Sequence, residues 1–283
     1  MKKQEKEFNI QVHKASGKFA PFSVEKLRNS LKRSGAKPDA INWVIGEIQP
    51  KLYDGISTRI IYDLAFKLLK KSSRPVAARY KLKKAIMELG PSGFPFEKFI
   101  AGVFQSQGYK TKTGIILQGK CVTHEVDVLA EKEGRILLME CKFHTLQGTN
   151  TDVKVPLYIH SRFNDIVSNK EKINELRGNQ PEGWVVTNTR FSGDATHYGN
   201  CAGLHLLGWD YPKENNLSQM IDRKGLHPIT CVTHLTVAEK NRLLERGIVF
   251  CMEILNRPEL LESAGIRGKK NPLVLSEIKE LCN

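Results

Sequence analysis

Residues 124–144 read HEVDVLAEKEGRILLMECKFH, and the fold of the middle of the chain turns on how that stretch is paired. An apolar, β-branched run ends at Ala130, the polar string EKEG (131–134) follows, and RILLMECKF (135–143) is a second apolar run. This pattern predicts two strands folded back at a tight turn. The second strand ends on Glu140 and Lys142, and Asp127 lies within the first. An ionised side chain on a buried strand is costly unless something pairs with it. Residues two apart on a strand share a face, so Glu140 and Lys142 point one way and Met139 and Cys141 the other. Folding at EKEG sets Asp127 across from, or diagonal to, Glu140. Such a cluster is either a solvated edge with a Glu–Lys pair or a cation site. With Mg²⁺ or Mn²⁺ the same three residues are equipped for hydrolysis.

The flanks place this hairpin in an α/β domain. FEKFIAGVFQSQG (96–108) reads as a helix stopped at glycine, and YKTKTGIILQG (109–119) as a strand. GWVVTN (183–188) and LHLLGW (204–209) are further strands, separated by SGDATHYGNCAG (192–203), a short capped helix. Strands alternating with helices predict a mixed sheet. LYIHSRFNDI (157–166) fits a helix whose polar face, with Tyr158, Arg162 and Asp165, borders the charged cluster. There Arg162 suits an ion pair or a DNA contact.

In this order the segments resemble the PD-(D/E)xK nucleases, and within them the Mrr-like restriction endonuclease branch, over roughly residues 94–210. The resemblance implies metal-assisted hydrolysis of phosphodiester bonds in DNA. Asp127 and Glu140 would ligate Mg²⁺ or Mn²⁺, with the Cys141 carbonyl as a further ligand. Lys142 would position or activate water, and Glu97 would help hold the metal or orient Lys142. Where the branch often has Gln-x-Lys this chain has Glu140-Cys141-Lys142, and glutamate is the better ligand for a hard cation. Double-strand cutting by such a site would favour a homodimer. A zinc reading also arises, because Cys-x-x-His occurs at 121–124, 141–144 and 231–234. Residues three apart on a strand face opposite sides, which rules against chelation by the first two. His124 and His144, which flank the cluster, are expected to be surface imidazoles, the alternative being contact with a substrate phosphate.

The amino-terminal segment is of another kind. FNIQVHKASGKFAPF (8–22) reads as a hairpin, and SVEKLRNSLKRSG (23–35) as a helix with Ser23 as N-cap and Gly35 as stop. PDAINWVIGEIQPKLYDG (38–55) and STRIIYDLAFKLLKKS (57–72) are further helices, and RPVAARYKLKKAIMELG (74–90) is expected as one more. Of the net charge of +14, residues 1–90 carry +12, from 20 Lys and Arg against 8 Asp and Glu. Such an excess implies a polyanionic partner, a nucleotide or a nucleic acid. Val12, Lys14, Gly17, Phe22, Lys26 and Leu27, with YDGIST (53–58) and AARYKLKKAI (77–86), resemble the ATP-cone, a nucleotide-binding regulatory module. The resemblance implies ATP or dATP as ligand, held by Val12, Lys14, Lys26 and Thr58, with the two lysines on phosphate. Ala15 and Ala20 stand where the family often has a basic and an acidic residue.

Two glycines and two prolines within Gly90–Pro95 mark a boundary. From about Leu226 the chain reads as short helices. LLERGI, LLESAGIRGKK and LSEIKEL resemble the helix-hairpin-helix of the RNA polymerase α-subunit carboxy-terminal domain. There AGIRGKK (264–270) would meet DNA phosphate, although 8 basic and 7 acidic residues leave a protein-docking role equally open. No apolar run reaches the ~18 residues of a membrane span. MKKQEKEFNI lacks the apolar core of a secretory signal. The six cysteines form no framework, which suits a reduced cytoplasmic compartment. The expectation is a multidomain chain with an ATP-cone-like 1–90, an α/β nuclease-like 91–225 and an all-α 226–283. Its expected activity is that of a Mg-dependent endodeoxyribonuclease regulated by ATP or dATP. The alternative is a catalytically inactive, nucleotide-responsive DNA-binding or regulatory protein on a nuclease fold.

Overall fold

The computed structural model describes residues 10–282. The lysine-rich opening and the first two residues of the expected hairpin segment lie outside them. Strands β1 (Gln11–His13) and β2 (Phe19–Pro21) pair antiparallel across a turn in which Gly17 adopts φ +80°. Helix α1 (Val24–Arg33) starts where the Ser23 hydroxyl accepts the Lys26 N–H, and the chain turns at Gly35 with φ +80°. After α2 (Pro38–Ile48), α3 (Thr58–Ser72) begins at Ser57, whose hydroxyl accepts the Ile60 N–H. Val12, Leu31, Val44, Ile48, Ile56 and Leu69 close a small core between these elements.

The segment 74–90 is not one helix. It divides into α4 (Arg74–Tyr80) and α5 (Leu82–Met87) at Lys81, whose N–H is shared between the carbonyls of Ala77 and Arg79. The Lys81 ammonium meets Glu88 at 2.5 Å and the Thr230 carbonyl at 3.2 Å. These contacts hold the bend, which aims Leu82, Ile86 and Leu89 away from the first core and into a second. Between Val76 and Leu89 the run contains no glycine or proline to announce a break.

Next come α6 (Phe94–Gln105), β3 (Lys110–Gln118), β4 (Thr123–Lys132), β5 (Arg135–Lys142), β6 (Asn150–Thr151), α7 (Lys154–Val167), β7 (Glu182–Thr187), β8 (Arg190–Phe191), α8 (Gly193–Cys201) and β9 (His205–Leu207). The main sheet runs β3-β4-β5-β7-β9 and is mixed: β3 to β5 are antiparallel, β5 to β9 parallel. The β4–β5 turn is the two-residue loop Glu133–Gly134, with φ +50° and +80°, the hairpin geometry that matches strand twist. One face of the sheet, with Val128, Ala130, Leu137, Met139 and Cys141, packs on α6. The other, with Leu138, Val185 and Leu206, is covered by Ile166 and Ile159 of α7.

Helices α9 (Leu217–Lys224), α10 (Val237–Glu245), α11 (Cys251–Asn256), α12 (Glu259–Ser263) and α13 (Lys270–Cys282) complete the chain. Helix α13 packs on α4 and α11, and residues Gly247 and Phe250, just ahead of α11, lie against α6 on the side away from the sheet, so that helix is buried on both flanks. The Phe99 and Phe250 rings stack at 4.8 Å, and Gly102 leaves room for Phe250 where a Cβ would overlap the ring. One hydrophobic core thus runs from α5 through α6 and the sheet to Val274 and Ile278 of α13, crossing both residue 90 and residue 225. No helix among the described residues is long and apolar enough to cross a membrane.

Candidate active site

The β4–β5 ladder ends at the pair Val128↔Met139, one step short of Asp127 opposite Glu140. At that point the Asp127 carboxylate accepts the Cys141 N–H at 2.6 Å, where a continuing ladder would offer a main-chain carbonyl. Both oxygens of Glu140 are engaged. One receives the Lys142 ammonium at 2.6 Å, and the other the Arg162 guanidinium, from α7, at 2.8 Å. Arg162 also donates to the Glu125 carbonyl and lies over the Tyr158 ring at 5.4 Å. Of the two roles open to Arg162, the ion pair is the one seen.

Glu97, in the first turn of α6, lies near enough to feel the charges of Asp127, Glu140 and Lys142. Burial first, then the charges of Asp127, Glu125 and Glu140, push its carboxyl up to about 7. Burial and then Glu140 push Asp127 up to about 6, against the opposing pull of the Cys141 N–H, Lys142 and Arg162. Like charges in a partly dehydrated place raise each other's proton affinity in this way. Among the described residues, no three His, Cys, Asp or Glu side chains are arranged as a ligand set for a metal ion. Cys141 is buried with its thiol in the α6-side core, where burial first and then the charges of Asp127, Glu97 and Glu140 push that thiol well up.

Behind Lys142 lies a polar network that the strand reading did not identify. The Thr187 hydroxyl donates to the Lys142 carbonyl at 2.9 Å and accepts from Thr151 at 3.0 Å. Asn188 accepts the His144 N–H at 2.9 Å and donates to the His144 carbonyl at 2.8 Å. Thr151, Thr187 and Asn188 are all buried. Three polar residues closing the apolar strand GWVV were the available signal. The network corrects the expectation for His144, whose ring meets Thr151 at 3.0 Å and whose pKa is lowered chiefly by burial. His124 is corrected too: it is buried and bonded to Asp165 at 2.8 Å. Asp165 also receives the N–H groups of Cys121 and Val122, and these bonds, His124 first, hold its carboxyl well below the usual range.

In the amino-terminal unit, the His13 N–H donates to the Ile56 carbonyl and His13 bridges Ser57, which sets the end of β1 against the start of α3. Exposed Lys14 and half-buried Thr58 follow those two residues directly. Exposed Lys26 is in the first turn of α1, whereas Val12 sends its side chain into the core, leaving its main chain for any ligand.

Comparison with known proteins places both ends of the chain. Residues 10–86 match the ATP cone domain, and residues 227–282 match the AF1548-like, C-terminal domain. An uncharacterized protein of Archaeoglobus fulgidus is 35% identical over 184 residues, which are 64% of this chain and 99% of that one. A crystal structure of a protein of unknown function, AF1548, is similar at 33% identity and a TM-score of 0.56, over 68% of this chain and 98% of that one. Can2 from Sulfobacillus thermosulfidooxidans in complex with cyclic tetra-adenylate aligns at 14% identity and a TM-score of 0.31, over 71% of this chain and 52% of that one. That last likeness is too slight to carry an argument. About one third of this chain has no counterpart in the A. fulgidus relative, and its amino-terminal part carries the ATP cone match. Spanning that relative almost end to end at 35% identity, the chain belongs to the AF1548-like family.

Proposed function

We propose that the chain is a metal-dependent endonuclease that hydrolyses DNA phosphodiester bonds and is regulated by ATP or dATP bound to its ATP-cone domain. The observation that carries this reading is that Asp127, Glu140 and Lys142 gather where the β4–β5 ladder ends, with Glu97 of α6 near enough to feel their charges and two carboxyls pushed up to about 6 and about 7. Crowded, half-dehydrated carboxylates fit a hard divalent cation, which removes the repulsion that raises them. Asp127 and Glu140 would hold Mg²⁺ or Mn²⁺. The Cys141 carbonyl suits a third position, since in a strand it leaves on the same side as the N–H that Asp127 accepts. When bound, such an ion supplies Lewis acidity to the phosphate and acidifies water. Lys142, a third exposed, orients water and offsets charge growing on the phosphoryl oxygens. Glu97, near neutrality, is placed to hold or move a proton at its carboxyl.

One observation favours the silent alternative, a DNA-binding or regulatory protein on the same scaffold: both Glu140 oxygens are already engaged by cations of the protein. Plasmid nicking with Mg²⁺ or Mn²⁺ decides between them. Asp127→Ala and Lys142→Ala are expected to lower the rate by about 100-fold or more. Equal nicking by wild type and both variants removes the nuclease reading. For the regulator, calorimetric titration with ATP and dATP is expected to lose its heat in Lys14→Ala. Unchanged binding removes Lys14 from the phosphate site.

A further inference from the structure

The segment between β5 and β6 touches the proposed nucleotide turn at one end and the catalytic lysine at the other. Gly148 has φ +88°, and a Cβ placed on it would stand 3.0 Å from the carbonyl oxygen of Ala15 and 3.4 Å from the nitrogen of Ser16. Glycine allows such an approach of one backbone to another. Ala15 and Ser16 lie between Lys14 and Gly17 in the β1–β2 turn. At its far end the segment is bolted to the candidate active site. A directed chain of hydrogen bonds runs from the His144 ring through Thr151 and Thr187 to the Lys142 carbonyl, at 3.0, 3.0 and 2.9 Å. Phe143 meets Phe96, the neighbour of Glu97, at 5.5 Å between ring centres, and fills the space that a side chain at Gly90 would need.

We propose that residues 143–151 report the nucleotide state of the β1–β2 turn to Lys142 and Glu97, and that the Gly148–Ala15 contact is where that state is read. The inference rests on the reading of the turn as a phosphate site. A ligand shifts an equilibrium only by contacts that differ between two arrangements. Phosphate drawn to Lys14 acts on the main chain of Ala15 and Ser16, which is the surface that Gly148 meets. Because the segment is pinned to buried Thr187 and Asn188, a displacement at Gly148 reaches the strand end that carries Lys142.

The test is hydrogen–deuterium exchange of the full chain with and without saturating ATP or dATP, alongside calorimetry of nucleotide binding. In wild type, nucleotide is expected to change exchange across 143–151 by about fivefold or more, the lower range of measured coupling between sites. Gly148→Ala and Gly148→Asn are both expected to keep nucleotide binding and to lose that response. Asn tolerates positive φ yet carries a Cβ, so its behaviour separates the blocked contact from backbone strain. Nucleotide binding without an exchange change at 143–151 in wild type overturns the inference and leaves the nuclease reading intact. Absence of binding overturns it together with the regulatory half of that reading. A full exchange response in both variants overturns the role of Gly148. An exchange response in wild type with no nicking sinks the nuclease reading alone.

Discussion

Neutralising Glu97 is expected to make the protein more stable at alkaline pH and not at acidic pH. Its carboxyl is lifted from an ordinary 4.5 to about 7, by burial first and then by the negative charges of Asp127, Glu125 and Glu140. Between those two values the unfolded chain has released a proton that the folded chain still holds. Stability therefore falls as pH rises through this window, and the loss is complete above pH 7. At about 1.4 kcal/mol per tenfold change in proton affinity, the gross loss is about 3 kcal/mol. Glu97 is only half buried, and solvent screening cuts the usable figure to about 1.5 kcal/mol. Glu97→Gln keeps the shape, removes the charge, and is expected to raise the melting temperature at pH 8 by about 3 °C for a chain of this size. At pH 4.5 the two proteins are expected to melt together to within about 1 °C, since most Glu97 carboxyls are then protonated in the folded chain. Differential scanning calorimetry at both values is the assay. An unchanged or lowered melting point at pH 8, or an equal rise at both, refutes the crowding argument. A gain in stability bought by removing a charge is the pattern of a site kept under tension for a task.

Two further perturbations probe the mounting of the cluster. Gly102→Val drives methyl groups into the Phe250 ring and is expected to cost about 2 kcal/mol or more of overpacking, read from the shift of a urea unfolding midpoint at constant slope. No shift would mean that α6 and α11 are not in contact. Arg162→Ala takes from Glu140 one of its two cations in a place where both partners are less than a fifth exposed, and is expected to destabilise by about 2–3 kcal/mol in the same titration. An effect below about 0.5 kcal/mol would put the pair in the class of solvated surface bridges.

Much of the hairpin was legible because its signals are local. Alternation over VDVLA, the left-handed pair Glu133–Gly134 and the period of two that separates Glu140 from Cys141 all act within a few residues. The cap at Ser23 is local in the same sense. What escaped depends on partners far away in sequence. His124 is buried where Asp165 arrives from α7, and His144 is half-buried where Thr151 and Asn188 meet it. The bend at Lys81 is held by Glu88 and by Thr230, some 150 residues on, and nothing in AARYKLKKAI marks it. The glycines and prolines of Gly90–Pro95 marked a border, and nothing local told that the apolar side chains of Leu82, Ile86 and Leu89 pack into the core that lies beyond it. Composition sees the surface of a unit better than the direction in which its core faces.

The double burial of α6 also bears on how the chain is made. Amino-terminal units generally fold first as a chain leaves the ribosome. Yet the outer wall of α6 includes Gly247, whose carbonyl meets Lys98, and Phe250, whose ring stacks on Phe99. The helix that carries Glu97 gains this second flank only once residues 247–250 have emerged. Until then Phe99 lacks the ring that stacks on it from that side. An unfinished chain thus presents a sticky helix for chaperones to shield, and its charged cluster takes shape among the last parts of the protein to be synthesised.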